Sequence, residues 1–152
     1  MSRVRDVLDA KGSTVLTVPP ATTVARVAQR MRSEHIGAFV VSARVGQLDG
    51  LVSERDIVFA IARHGEGALE LPVSAVMSRA PLTCSPDDSV RAVMAEMTRE
   101  RVRHLPVIEH GHIRGIISIG DVVKASVEDA DLETSVMRDA YLTGRARLAD
   151  TG

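Results

Sequence analysis

Gly50-Leu51-Val52-Ser53-Glu54-Arg55-Asp56 and Gly115-Ile116-Ile117-Ser118-Ile119-Gly120-Asp121 are two copies of one pattern: glycine, two branched apolar residues, serine, two free positions and aspartate. Sliding the chain against itself extends the match outward. Thr17 to Val41 aligns with Thr83 to Val107 at an offset of 66, and beyond the next loop the offset is 65. Identical residues recur as Thr17/Thr83, Pro20/Pro86, Val24/Val90, Val27/Val93, Met31/Met97, Glu34/Glu100, Val41/Val107, Gly46/Gly111, Gly50/Gly115, Ser53/Ser118, Asp56/Asp121 and Val58/Val123. Upstream, Val4-Arg5-Asp6-Val7-Leu8 faces Val73-Ser74-Ala75-Val76-Met77, so each copy opens with a short apolar segment.

Each copy reads as strand, helix, strand, strand, helix. Val24, Val27, Ala28 and Met31 recur at helical spacing, as do Val90, Val93, Met94 and Met97, giving each helix one apolar stripe. Thr22 and Asp88 are the expected N-caps. Ala38-Phe39-Val40-Val41 and His104-Leu105-Pro106-Val107-Ile108 are too short for helices and read as strands, each followed by a glycine-containing loop and a second strand. Pro106 has no amide and places its strand at an edge or a bulge. Ser53 and Asp56, and Ser118 and Asp121, then open helices. The first of these should stop at His64-Gly65, with glycine in the left-handed cap position. The second continues towards Leu142 unless Asp129-Ala130-Asp131 caps a separate final helix.

Such a unit has a sheet covered by its own helices on one face only, so two units should pack sheet to sheet about a pseudo-twofold axis. The expected class is α/β (α+β), with residues 1-69 as the first repeat, 70-127 as the second and 128-152 as a helical extension.

Composition narrows function. The 152 residues are 45% hydrophobic and 26% charged, with 19 basic side chains against 20 acidic ones. That balance lacks the electrostatic footprint of a nucleic-acid or anionic-membrane binder. With Phe39, Phe59 and Tyr141 as the whole aromatic complement, base stacking on aromatic platforms is also disfavoured. Apolar runs are short and the N-terminus has no signal core, so the expectation is a soluble, cytoplasmic protein. Cys84 stands alone and reads as a small buried apolar residue. Basic charge is mostly arginine, suited to a few bidentate anion contacts.

The doubled Gly-x-x-Ser-x-x-Asp pattern within this repeat resembles a tandem pair of CBS (cystathionine-beta-synthase) domains over nearly the whole chain. The resemblance implies a stand-alone Bateman module whose inter-repeat clefts bind adenosine ligands such as AMP, ADP, ATP or NAD, acting on a partner in trans, with a homodimer expected. Carried onto this chain, it implies ligand contacts from Thr17, Ile36, Gly37 and Ala38, and from Ser53, Arg55 and Asp56, in the first copy. In the second copy the corresponding set is Thr83, Val102, Arg103, His104, Leu105, Pro106, Ser118 and Asp121.

The residues allow two readings of the serine–aspartate pairs. At a strand-to-helix junction a hydroxyl and free amides can receive an anion, and a carboxylate one turn in can accept two bonds from a ribose diol. The same spacing is that of an ordinary helix cap. Arg55 stands where the second copy has Gly120, and Arg103 where the first has Gly37, so each cleft is expected to draw its guanidinium from a different position. Arg103, His104, Ser118 and Asp121 are expected to converge on one tighter AMP-type site. Adenine would sit between aliphatic side chains such as Ile36, Val102 and Leu105.

His110-Gly111-His112 with Glu109 offers too few ligands for a metal site, and none is expected. No catalytic motif or nucleophile–base pair is evident, so no catalytic residue and no catalytic cofactor are assigned. A nucleotide-processing enzyme and a dimerisation module with empty clefts are the alternatives to a sensor. The acidic stretch Glu128 to Glu133 reads as a solvated helix face. Leu132, Val136, Met137, Ala140 and Tyr141 form a stripe that a dimer partner or another protein would cover.

Overall fold

The computed structural model describes residues 1–12 and 14–150. In chain order the elements are α1 (Val4–Lys11), β1 (Thr17–Val18), α2 (Val24–Glu34), β2 (Ala38–Val41), β3 (Gly50–Ser53) and α3 (Glu54–His64), then α4 (Val90–Glu100), β4 (His104–Glu109), β5 (His112–Ser118) and α5 (Ile119–Asp150). Short 3-10 turns, Gly65–Glu70 and Val73–Ala75, join the halves. The fold is α+β, built from two like units. Val24, Val27 and Met31 of α2, and Val90, Val93 and Met97 of α4, are buried as the stripes require.

The helix starts differ from the expectation by one residue. Thr23, not Thr22, caps α2, its Oγ1 accepting from the Arg26 amide at 3.2 Å; Ser89, not Asp88, caps α4, its Oγ accepting from Ala92 at 3.1 Å. Asp88 instead accepts from the Ser85 amide at 2.8 Å and shapes the turn before the cap. Gly65 ends α3 with φ 64, but its ψ of -144 lies outside the left-handed helical region because the chain turns directly into a 3-10 segment. Helix α5 runs unbroken through Asp129-Ala130-Asp131.

Pro106 makes the two sheets unequal. In the first unit β1 pairs parallel with β2, which pairs antiparallel with β3, and the Val40 amide donates to the Leu16 carbonyl at 3.4 Å. Pro106 occupies the position equivalent to Val40 and has no amide to give to Leu82. The expected first strand of the second unit therefore shrinks to a single parallel bridge, Cys84 to Val107, beside the β4–β5 hairpin. A register shift follows between Val107 and Ile108. Pro106 thus sits at a nearly bare edge next to an irregularity, as expected of it. His110 and Gly111, at φ 52 and 77, supply the two left-handed residues of the tight hairpin turn.

The opening segments cross over. Val4, Val7 and Leu8 of α1 lie in the core with Val90, Val93, Leu105 and Ile117 of the second copy, whereas Val73 lies with Val24, Val27 and Phe39 of the first. Equivalent backbone bonds fix both crossings. The Val4 amide donates to the Asp88 carbonyl (2.9 Å) and Val90 to Ser2 (3.0 Å); Val73 donates to Thr22 (2.7 Å) and Val24 to Leu71 (2.9 Å). Burying each of Val4, Val7 and Leu8 contributes about 1.5–3 kcal/mol.

The repeated glycines make room for these segments. A Cβ on Gly115 would lie 2.8 Å from Leu8 Cδ2, and one on Gly50 would lie 2.5 Å from Met77 Sδ and 2.8 Å from the Ser78 carbonyl oxygen. Leu8 and Met77 are themselves equivalent in the repeat. The sheets meet through Ala38, Val40 and Leu51 against Ile113 and Ile116, the expected sheet-to-sheet packing.

Candidate functional site

Two clefts flank the pseudo-twofold axis, each combining the strand-to-helix junction of one copy with the strand entry of the other. Cleft one, about 520 Å3, joins Ser53, Glu54, Arg55 and Asp56 to Arg101, Val102, Arg103, His104 and Leu105, with Val58, Phe59 and the 78–82 segment completing its wall. Cleft two, about 430 Å3, joins Gly115, Ile116, Ser118 and Asp121 to His35, Ile36, Gly37 and Ala38, with Lys11 and residues 14–16 around it. Gly37 and His104 line both. A Cβ on Gly37 would stand 3.2 Å from Cε1 and Nε2 of His104, so imidazole and bare backbone together form the partition.

Local bonding positions both junctions alike. The Glu54 amide donates to the Gly37 carbonyl at 3.1 Å and Ile119 to Arg103 at 2.8 Å, tying each helix start to the strand entry of its own copy. Both readings of the serine–aspartate pairs are geometrically open. Asp56 Oδ2 accepts from the Ser53 amide (2.8 Å) and hydroxyl (3.1 Å); Asp121 Oδ2 accepts from the Ser118 amide (2.9 Å), and Ser118 Oγ accepts from the Asp121 amide (3.2 Å). Each carboxylate thus serves as a cap through one oxygen. Among the described residues no hydrogen bond engages either Oδ1, a carboxylate oxygen able to accept from a diol or an amide.

Lys11 distinguishes cleft two. Its Nζ donates to Asp121 Oδ2 at 2.6 Å and to the Ile116 carbonyl at 3.0 Å. Burial pushes the Asp121 carboxyl up, but the Lys11 ammonium and the Ser118 amide together outweigh it and hold the group below its usual range. His104 is moved down, chiefly by burial; Glu54 and Asp121 oppose this, and Lys11 and Arg103 reinforce it. Burial pushes the Cys84 thiol up to about 12, which leaves it an inert apolar filler.

The structure redistributes the expected site residues. Arg55 and Arg103 do not separate the clefts: both line cleft one, where Arg55 Nη1 donates to the Arg101 carbonyl at 3.2 Å. The expected convergence of Arg103 with Ser118 and Asp121 is therefore incorrect: the Arg103 carbonyl holds the Ile119 amide, but Arg103 lines cleft one while Ser118 and Asp121 line cleft two. Of the four residues expected to converge, His104 alone lines both clefts. Ile36, Gly37 and Ala38 face Ser118 and Asp121, while Val102 and Leu105 face Ser53 and Asp56. Thr17, Thr83 and Pro106 lie outside both lining sets; residues 14–16 and 81–82, immediately upstream of the two threonines, line the clefts instead.

Several lining groups escaped the sequence reading. Phe59 brings an aromatic ring to cleft one, on the exposed side of a helix whose apolar run reads as core. Lys11 arrives on a segment that crosses between copies. His35 and Arg101 occupy equivalent left-handed positions, φ 55 and 56, one on each cleft. They are the left-handed C-caps that end α2 and α4, their amides donating to the Met31 and Met97 carbonyls.

The family model for the CBS domain matches twice, over residues 4–63 and 73–128. The chain belongs to the CBS domain family. Its two CBS repeats resemble the CBS domain-containing protein YhcV of Bacillus subtilis, 30% identical over 122 residues covering 80% of this chain and 84% of that one. The CBS-domain protein ATU1752 of Agrobacterium tumefaciens superposes with a TM-score of 0.79 at 41% identity, covering 82% of this chain and 99% of the other. The CBS domain protein PAE2072 of Pyrobaculum aerophilum, whose structure was solved complexed with AMP, superposes with a TM-score of 0.70 at 26% identity over 79% and 89% of the two chains. The CBS pair of MJ0100, solved with 5'-methylthioadenosine and S-adenosyl-L-methionine, shares the fold (TM-score 0.74, 19% identity, 85% and 98% coverage). Among the described residues of this CBS pair, no helix is long and apolar enough to cross a membrane.

Proposed function

We propose that this CBS pair is a regulatory module that binds adenosine ligands in its inter-repeat clefts and acts on a partner protein in trans. The observation that carries the reading is the duplicated cleft: a serine and a half-buried aspartate at a helix start, opposite an extended strand entry whose backbone can read an adenine edge. The AMP complex of PAE2072, 26% identical to this chain, supports it. Among the described residues neither cleft pairs a serine or cysteine with a histidine base: the Ser53 hydroxyl donates to Asp56, a carboxylate already engaged as a helix cap, which favours sensing over turnover.

Calorimetry with AMP, ADP, ATP, NAD, adenosine and GTP on the full chain tests the reading. Saturable binding of adenine ligands without product formation is the expected result, and absence of binding by every adenine compound at millimolar concentration overturns it. We assign the exposed face of α5, with Leu132, Val136, Met137 and Tyr141 between 59% and 73% exposed, to a second copy of the chain.

A further inference from the structure

We propose that the two clefts take adenosine ligands of different charge: cleft one a nucleotide with a phosphate chain, cleft two a ligand whose adenosine carries little or no negative charge. The inference rests on the reading that adenosine ligands occupy the clefts and assigns a class to each.

Cleft one gathers Arg55, Arg101 and Arg103 against the carboxylates Glu54 and Asp56, leaving an excess of positive charge. Arg55 reaches across to the Arg101 carbonyl, which places its guanidinium beside the 101–103 segment. Among the described residues none of the three arginines makes an ion pair, and all are exposed. Three guanidiniums that share one cleft with two carboxylates and pair with neither repel one another, and an anion that several of them contact at once relieves the repulsion. A phosphate chain meets that need; a neutral nucleoside does not.

Cleft two has the opposite balance. Its ammonium, Lys11, is bonded to its carboxylate, Asp121, at 2.6 Å, so the two charges cancel, and among the described residues no other lysine or arginine lines the cavity. A ligand phosphate could recruit Lys11 only by breaking that pair and leaving a half-buried Asp121 close to the new negative charge. A ribose diol at the remaining Asp121 oxygen needs no such rearrangement. The origin of the inequality lies in the repeat itself. Arg103 and Arg101 stand where the first copy has Gly37 and His35, and both positions face the opposite copy's helix start.

Adenosine, AMP, ADP and ATP, titrated by calorimetry at fixed ionic strength into the wild-type chain and its variants, test the proposal. Two sites are expected: one whose affinity climbs with phosphate number and falls with salt, and one indifferent to phosphate or weakened by it. Arg103→Ala and Arg103→Gln should each cut the ratio of ATP to adenosine affinity at the first site by about tenfold or more, the scale of one charge-assisted hydrogen bond. Asp56→Asn should weaken the phosphate-sensitive site, and Asp121→Asn the other. Circular dichroism checks that each variant folds, and Arg55→Gln provides an independent probe of cleft one. Equal affinity along the series, an unchanged ratio in both arginine variants, or an ATP site that responds to Asp121→Asn and ignores Asp56→Asn overturns the proposal while leaving adenosine binding intact. If none of the four compounds binds, the sensor reading falls and takes this assignment with it.

Discussion

Leu8 projects onto the bare Cα of Gly115, at a spot where a single added methyl group would stand 2.8 Å from its Cδ2. Gly115→Ala therefore forces a buried side chain out of its rotamer, and overpacking of this kind costs about 1–3 kcal/mol. Leu8→Ala leaves a cavity instead, at about 2–5 kcal/mol. Because each change offsets the other's defect, the double variant should be more stable than the sum of the two losses predicts, by 0.5 kcal/mol or more on the scale of about 0.5–3 kcal/mol seen for touching residues. Urea denaturation of the four proteins checks this. Gly50→Ala should be worse than Gly115→Ala, since the obstacle includes the Ser78 backbone carbonyl, which cannot rotate away.

Adenine nucleotides should raise the melting temperature. A ligand at 100 times its dissociation constant that binds only the folded state adds about 2.7 kcal/mol. Guanine nucleotides should do less if strand backbone reads the adenine edge. Equal shifts from ATP and GTP in a thermal melt would refute that discrimination.

His104 should give the fold a pH-sensitive limb. Burial lowers its folded pKa below the ordinary 6.5, so the unfolded chain takes up the proton first as the pH falls. Stability is then complete above about pH 6.5 and declines as the pH drops through the folded value. Melting temperatures measured from about pH 8 to about pH 5 should show the decline, and His104→Gln should flatten it.

Lys11→Met should have opposite effects on stability and on binding. Without the ammonium, only the Ser118 contacts oppose burial at Asp121 and its carboxyl rises, so the stability it contributes above the ordinary carboxylate pKa of 3.8 is diminished. Lys11 is 39% exposed, and solvent screening keeps the loss at neutral pH to about 0–1 kcal/mol. Adenosine affinity at cleft two should rise, because Asp121 Oδ2 then keeps only the Ser118 amide as an internal partner. An unchanged acid midpoint and unchanged adenosine affinity would show that the pair has no part in either.

The exposed face of α5 should hold two copies together. Light scattering is expected to give a dimer of the 16.3 kDa chain, and Met137→Glu, which puts a charge in the middle of the apolar stripe, should shift it towards monomer. A monomeric wild type at high micromolar concentration would remove the assignment.

The elements were legible where periodicity carried them. The stripes of α2 and α4, the hairpin strands and the serine–aspartate helix starts follow from side-chain spacing alone, and Pro106 announced its own edge. What escaped was pairing across the axis. A repeat alignment equates Arg103 with Gly37 but does not say which helix start each faces, and the structure sets each against the other copy's. Capping failed by one residue for a local reason: Thr22 and Thr23, like Asp88 and Ser89, are adjacent residues with capping side chains, and only the backbone angle chooses between them. The acidic stretch of α5 was also not wholly solvated, since Asp129 accepts from the Ser2 amide and hydroxyl at 2.9 and 2.6 Å.

The crossing of the opening segments bears on how the chain folds. A single unit of this kind offers a docking groove that its own leading segment cannot enter, so on its own it would stay unfinished, and two separate units would complete one another only by trading arms. Fusion into one polypeptide turns that bimolecular encounter into ring closure at an effective concentration of order mM. Dilution therefore cannot separate the halves, and releasing either arm strips apolar cover from the other half. Melting should be a single concerted event with no half-folded plateau.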